Sequence, residues 1–129
     1  MSEPEEKQYK ILIIDDDPFL SEIYSLKFKL SGFDVFTAAN GEKALEAVKE
    51  TIPDIILLDL VMPKMDGFET LAALRKISDL DKTPIIVFSN LGQKEDVDRG
   101  YQLGANDYII KTRFTPSEVV EKVREMLKV

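Results

Sequence analysis

Residues 11–18 read ILIIDDDP: four branched apolar residues in a row, three carboxylates, then a proline. A half-buried strand alternates apolar and polar residues. An unbroken apolar run has two dry faces, which is how the strands of a parallel sheet appear in sequence. Three further runs share this form, and each stops at a reactive or charged side chain. Residues 55–58 (IILL) run into Asp59, residues 85–88 (IIVF) into Ser89, and residues 108–110 (YII) into Lys111. In an open parallel sheet, ligands bind beyond the carboxyl ends of the strands, where the strand order reverses. Carboxylates, one hydroxyl and one ammonium then gather at one edge, a set suited to a divalent cation and a phosphoryl group.

The segments between these runs read as helices. Asp17 is placed to cap a helix whose first turn takes Pro18. Phe19, Ile23, Leu26 and Leu30 recur at i, i+4, i+7 and i+11, which predicts a core-facing stripe ending at Gly32. Residues 33–38 alternate, as an edge strand does. Asn40 caps a helix with Ala44, Leu45 and Val48 inward, ending before Pro53; a third helix follows Gly67 with Phe68, Leu71, Leu74 and Ile77 inward. Residues 79–83 connect this helix to the fourth strand. Residues 92–103 have helical spacing but a thin apolar stripe of Val97, Tyr101 and Leu103, so this helix is expected to move most. Gly104 ends it. Thr115-Pro116-Ser117-Glu118 forms a capping box ahead of Val119, Val120, Val123 and Leu127. Strand–helix units recur five times, which predicts an α/β domain over residues 9–129 behind a flexible acidic arm at residues 1–8.

Composition narrows the chemistry. A chain of 129 residues is one domain on the usual prior of ~150 residues each. It contains no Cys and no His, which removes disulfides, thiol chemistry, thiolate zinc sites and the commonest general base. Seventeen basic against 24 acidic residues leave a net charge of −7, which argues against a nucleic-acid-binding surface. No apolar stretch approaches the ~20 residues that span a bilayer, and no signal peptide opens the chain. The expectation is a cytoplasmic domain without membrane contact.

Asp15, Asp16 and Asp59, brought together, repel by about 4 kcal/mol per pair at ~4 Å in an effective dielectric of ~20. A cation relieves that repulsion, and Mg²⁺, a hard ion that accepts carboxylates, waters and phosphoryl oxygens, is the natural choice. Asp59 is then a candidate nucleophile toward phosphorus. Ser89 can donate to a phosphoryl oxygen, and Lys111 offers a positive charge. Taken singly, each residue has a plainer role: turn or cap for the aspartates and the serine, surface for the lysine. The joint placement at strand ends decides the reading.

Four motifs carry a family resemblance: ILIIDDDP at 11–18, DIILLDLVMPKMDGFE at 54–69, PIIVFSN at 84–90 and GANDYIIK at 104–111. Over residues 11–127 the chain resembles the receiver domain of two-component response regulators. The resemblance implies a flavodoxin-like, doubly wound fold: a five-stranded parallel sheet of order 2-1-3-4-5 with helices on both faces. It implies that Asp59 is the phosphoacceptor, supplied by a sensor histidine kinase or a phosphotransfer protein. By the same resemblance, Mg²⁺ would be held by Asp15, Asp16, Asp59 and the backbone carbonyl of Val61. The resemblance further implies that Ser89 and Lys111 bind the phosphoryl group, and that Tyr108 is an aromatic switch that repacks the helix 4–strand 5–helix 5 face for an unknown downstream protein. Met62-Pro63 and Asp66-Gly67 shape the loop beside the acceptor. Apolar Leu91 and Val61 imply slow attack by water on the phosphorylated form.

One departure stands out. The family usually follows its lysine with proline, often in a cis peptide, whereas Thr112 follows Lys111 here. A non-prolyl cis bond costs about 2.5–4 kcal/mol, so a trans bond and a re-routed loop through Arg113 and Phe114 are expected. The chain ends shortly after the last helix, leaving a stand-alone signalling module or a piece of a longer regulator. Asp107 and Lys122 suggest a weak homodimer through the helix 4–strand 5–helix 5 face. The rival reading is a Mg²⁺-dependent phosphatase or phosphotransferase with an aspartyl nucleophile, although no cap domain fits within this length. A signalling phosphoacceptor rather than an enzyme is the expectation.

Overall fold

The structure is a computed structural model that describes residues 8–62 and 65–129. The expected arm at 1–8, except Gln8, lies outside the described residues, as does Pro63. Strands β1 (Lys10–Ile14), β2 (Asp34–Ala38), β3 (Ile55–Leu58), β4 (Ile85–Ser89) and β5 (Asp107–Ile110) form one parallel sheet, ordered β2-β1-β3-β4-β5. Each is followed by a helix: α1 (Pro18–Leu30), α2 (Gly41–Glu50), α3 (Gly67–Arg75), α4 (Lys94–Gln102) and α5 (Pro116–Leu127). The order reverses between β1 and β3, so Asp15 and Asp59 leave the sheet on either side of that crevice. Among the described residues, no helix is long and apolar enough to cross a membrane.

The continuous apolar runs are dry on both faces, as their sequence requires. Leu12, Ile14, Ile56, Leu58, Ile85 and Val87 join one core with Ala44, Val48, Phe68, Leu71 and Leu74 from α2 and α3. The alternate residues Ile11, Ile13, Ile55, Leu57, Ile86 and Phe88 join the other, with Tyr24 and Phe28 of α1 and Val119, Val120 and Val123 of α5. Each fully buried side chain of this size contributes roughly 1.5–3 kcal/mol, so the two layers hold the strand ends in fixed register. The helix starts follow the predicted caps. Asp17 Oδ1 accepts from Phe19 N at 3.0 Å, Asn40 Oδ1 from Lys43 N at 2.9 Å, and the Thr115–Glu118 box closes in both directions.

Four local expectations need correction. The stripe Phe19, Ile23, Leu26 and Leu30 faces solvent instead of the core, with Phe19 71% and Leu30 78% exposed. A second helical stripe, Leu20, Tyr24 and Phe28, takes the inner face. Its aromatics bury more area and meet partners edge-on, Tyr24 with Phe88 at 4.9 Å and Phe28 with Phe33 at 5.1 Å between ring centroids. Tyr101 also points outward; its hydroxyl reaches Asp107 Oδ1 at 3.4 Å. Residues 92–93 precede α4 instead of belonging to it, and a 3₁₀ turn at Ser78–Leu80 interrupts the predicted connection. Every peptide bond among the described residues is trans, Lys111–Thr112 included, and the chain turns there as a 3₁₀ helix, Lys111–Arg113.

Candidate functional site

The strand ends converge. Asp15 follows β1, Asp59 follows β3, Ser89 ends β4 and Lys111 follows β5. A cleft of about 400 Å³ opens there, lined by Asp15, Asp16, Asp59, Val61, Asn90 and Lys111 among others. Asp15, Asp16 and Asp59 each present a carboxylate oxygen within 4.8 Å of the other two. Asp15 and Asp59 are buried and Asp16 is exposed, so the cluster is dry on one side and open to solvent on the other. Three hard oxygen donors at this spacing fit Mg²⁺ and exclude a thiolate- or imidazole-loving metal.

Local backbone geometry fixes the carboxylates. Asp15 Oδ1 accepts from Asp17 N at 2.9 Å, and Asp59 Oδ1 accepts from Val61 N at 3.2 Å. Each leaves its second oxygen free for the cleft. There Lys111 Nζ donates to Asp15 Oδ2 at 2.8 Å and to Asp59 Oδ2 at 3.1 Å. The ammonium stands 5.5 Å from the centre of the Phe88 ring, which supplies a cation–π contact at the end of β4. Burial pulls the Lys111 pKa down, but the Asp15 hydrogen bond and the charges of Asp59 and Asp15 outweigh it and raise the pKa above the ordinary lysine value. Lys111 therefore carries its charge throughout the physiological range.

The loop behind Asp59 needs a residue without Cβ. A Cβ on Gly67 would stand 2.2 Å from Leu60 Cα and 2.5 Å from the Asp59 carbonyl oxygen, so α3 begins against the loop that follows Asp59. Asp66 caps that helix, accepting from Glu69 N at 2.8 Å.

Ser89 and Tyr108 sit one layer away. Ser89 is fully buried, and its Oγ accepts from Leu91 N at 3.3 Å. Tyr108, half-buried, donates its hydroxyl proton to the Leu91 carbonyl. One residue of the β4–α4 loop thus engages both side chains. Burial above all, then the charges of Asp96 and Asp59, pushes the Tyr108 phenol up to about 12. Asn90, for which no role is expected from sequence, lines the cleft where Ser89 does not. Its position directly after Ser89 at a strand end was the available signal.

Fold and site together define a doubly wound parallel α/β domain with a cation-suited acidic cleft at its switch point. The family model described as "Response regulator receiver domain" matches residues 11–124. The chain is 38% identical over 119 residues to the DNA-binding dual master transcriptional regulator RpaA of Synechocystis, covering 92% of this chain and 49% of that protein. Among solved structures, the Vibrio cholerae chemotaxis protein CheY4 superposes with a TM-score of 0.88 at 29% identity, covering 93% of this chain and 99% of that one. The receiver domain of the Francisella response regulator 1452 gives 0.84 at 32% identity, covering 94% and 98%. The chain belongs to the response regulator receiver domain family. It spans about half the length of the curated relatives it matches.

Proposed function

We propose that this chain is a phosphoacceptor switch in which Asp59 takes a phosphoryl group from a phosphohistidine of a sensor histidine kinase or phosphotransfer protein. The observation that carries this reading is the Lys111 ammonium held between the Asp15 and Asp59 carboxylates, 2.8 and 3.1 Å away. An Asp59 oxygen attacks phosphorus; the new O–P bond forms as the N–P bond breaks, and the imidazole leaves with the electron pair. Lys111 then turns its charge toward the incoming phosphoryl oxygens. Asp15, Asp16, Asp59 and the Val61 carbonyl would hold Mg²⁺, which would supply charge neutralisation for those oxygens.

Switching follows from the shared partner. When the Ser89 hydroxyl turns to donate to a phosphoryl oxygen, Leu91 N loses its acceptor and the β4–α4 loop relaxes. Tyr108 then loses the geometry of its own bond to Leu91 and repacks between α4 and β5. Reversing a 1:99 population takes about 5.5 kcal/mol of differential stabilisation, which a few charge-assisted hydrogen bonds supply at roughly 1.5–3 kcal/mol each. A downstream protein reads the α4–β5–α5 face, and two activated copies pair weakly through the same face. A kinase donor places the module in the cytoplasm, and the net charge of −7 favours a protein target over direct nucleic-acid contact.

Incubation with Mg²⁺ and acetyl phosphate, followed by intact-mass measurement, tests the reading. One phosphoryl group is gained by the native chain and none by Asp59→Asn. Equal labelling of the two proteins would overturn the assignment.

A further inference from the structure

Of the eight large apolar side chains exposed among the described residues, four lie on α1: Phe19 at 71%, Ile23 at 40%, Leu26 at 59% and Leu30 at 78%. They share one face of the helix, spaced four, three and four residues apart. That spacing reads the same from either end, and it matches the alternating a/d spacing with which paired helices pack. Nothing in the described chain covers it, and the face is turned away from the core stripe of Leu20, Tyr24 and Phe28.

We infer that this stripe is a homodimer seam, covered by α1 of a second copy lying antiparallel. A two-fold axis between Ile23 and Leu26 sets Phe19 against Leu30 of the second copy, and Ile23 against its Leu26. The charges obey the same symmetry. Glu22 and Lys29 are exposed, flank the stripe on one side, and have no ion-pair partner within the chain among the described residues. Antiparallel docking puts Glu22 of each copy beside Lys29 of the other, two pairs in all. The acidic start of one helix, with Asp16 and Asp17, also meets the end of its mate, which carries Lys27 and Lys29 in the last turn. Four side chains and their flanks bury less than the ~800 Å² per partner of a standard interface, so the dimer is weak and concentration-dependent. Asp17 and Leu20 line the acidic cleft on either side of Phe19. The second copy's Leu30 end therefore stands at the cleft's rim, so dimerisation and docking of a protein phosphodonor exclude each other, a consequence that rests on the function proposed above.

Sedimentation velocity over micromolar to millimolar concentrations tests the seam. The native chain shifts from monomer to dimer. Leu26→Glu, which sets two carboxylates at the axis, stays monomeric. Glu22→Lys and Lys29→Glu each turn two attractive pairs repulsive and weaken dimerisation by about tenfold. Mixing those two variants restores it, because every facing pair is opposite in sign again. A native chain that stays monomeric, a dimer indifferent to Leu26→Glu, or no recovery on mixing overturns the inference. A monomer whose Phe19 and Leu26 are covered only when a phosphodonor is added overturns it equally and assigns the stripe to that donor. All substituted positions are exposed, so folding is checked by far-ultraviolet circular dichroism. Labelling of Asp59 by acetyl phosphate continues in every variant, so failure of the seam and failure of the phosphoacceptor reading are read separately.

Discussion

β5 is flanked by two helices of opposite construction. α5 starts at a closed capping box with Pro116 in its first turn and buries Val119, Val120 and Val123 almost completely. α4 starts at Gln93 without a side-chain cap hydrogen bond, and Gly100, which has no side chain, is its one buried residue. Two acidic residues in its first turn, Glu95 and Asp96, favour the helix dipole, but that term is small and screened by salt. Helices with little apolar burial open at low cost. The face is therefore clamped on the α5 side and loosely covered on the α4 side, and the larger native-state motion is expected in α4.

The largest test compares core truncations. Val123→Ala removes two methyl groups from a fully buried site and costs about 2 kcal/mol in urea denaturation, whereas Val97→Ala, half-buried, costs less than about 1 kcal/mol. Equal losses would break the comparison. The caps give the next effect. Thr115→Ala opens the α5 box and costs about 1 kcal/mol. Gln93→Ser supplies α4 with the cap it lacks and gains about 0.5 kcal/mol. Native-state hydrogen exchange sharpens the contrast: α4 amides exchange before those of α5, and Gln93→Ser slows α4 alone. Unchanged α4 exchange would mean that its looseness comes from the missing core contacts and not from the frayed start.

The sheet and most helix starts were legible in sequence because their determinants are local. A run such as residues 55–58 reads as a strand dry on both faces, as in a parallel sheet, and Asp17, Asn40 and Thr115 bond backbone N–H groups within three residues. The thin stripe of α4 was legible for the same reason. α1 was misread because it carries two apolar stripes of helical spacing, and periodicity fixes a face without saying which face is inside. That choice is made by Phe88 and Phe33, which lie on other strands and loops. At the site, the candidate carboxylates and lysine followed from where the strands stop. The shared engagement of Leu91 by Ser89 and Tyr108 is tertiary, crossing from β4 to β5, and had no signature in spacing.

The smallest effect on stability carries the finest information about α4. Gly100→Ala gains about 0.8–1 kcal/mol of helix propensity, but the new Cβ would stand 3.2 Å from Tyr108 Cδ2 and Cε2. Either the ring or the helix must give, so the net change in stability is small, and the tyrosine reports which one moved. Its phenol is at about 12, against an ordinary value of 10.0, because of burial and the nearby Asp96 and Asp59 charges. The native state thus holds a proton that the unfolded chain releases above pH 10, and stability falls as pH rises from there toward 12. Lys111, whose proton the fold also holds, adds to that alkaline loss equally in both proteins. If the ring is expelled, Tyr108 titrates nearer 10 in the variant by ultraviolet absorbance, and the alkaline loss shrinks. If α4 lifts instead, the late phase near 12 persists while α4 exchange quickens, which would make the helix still looser than its single buried glycine implies.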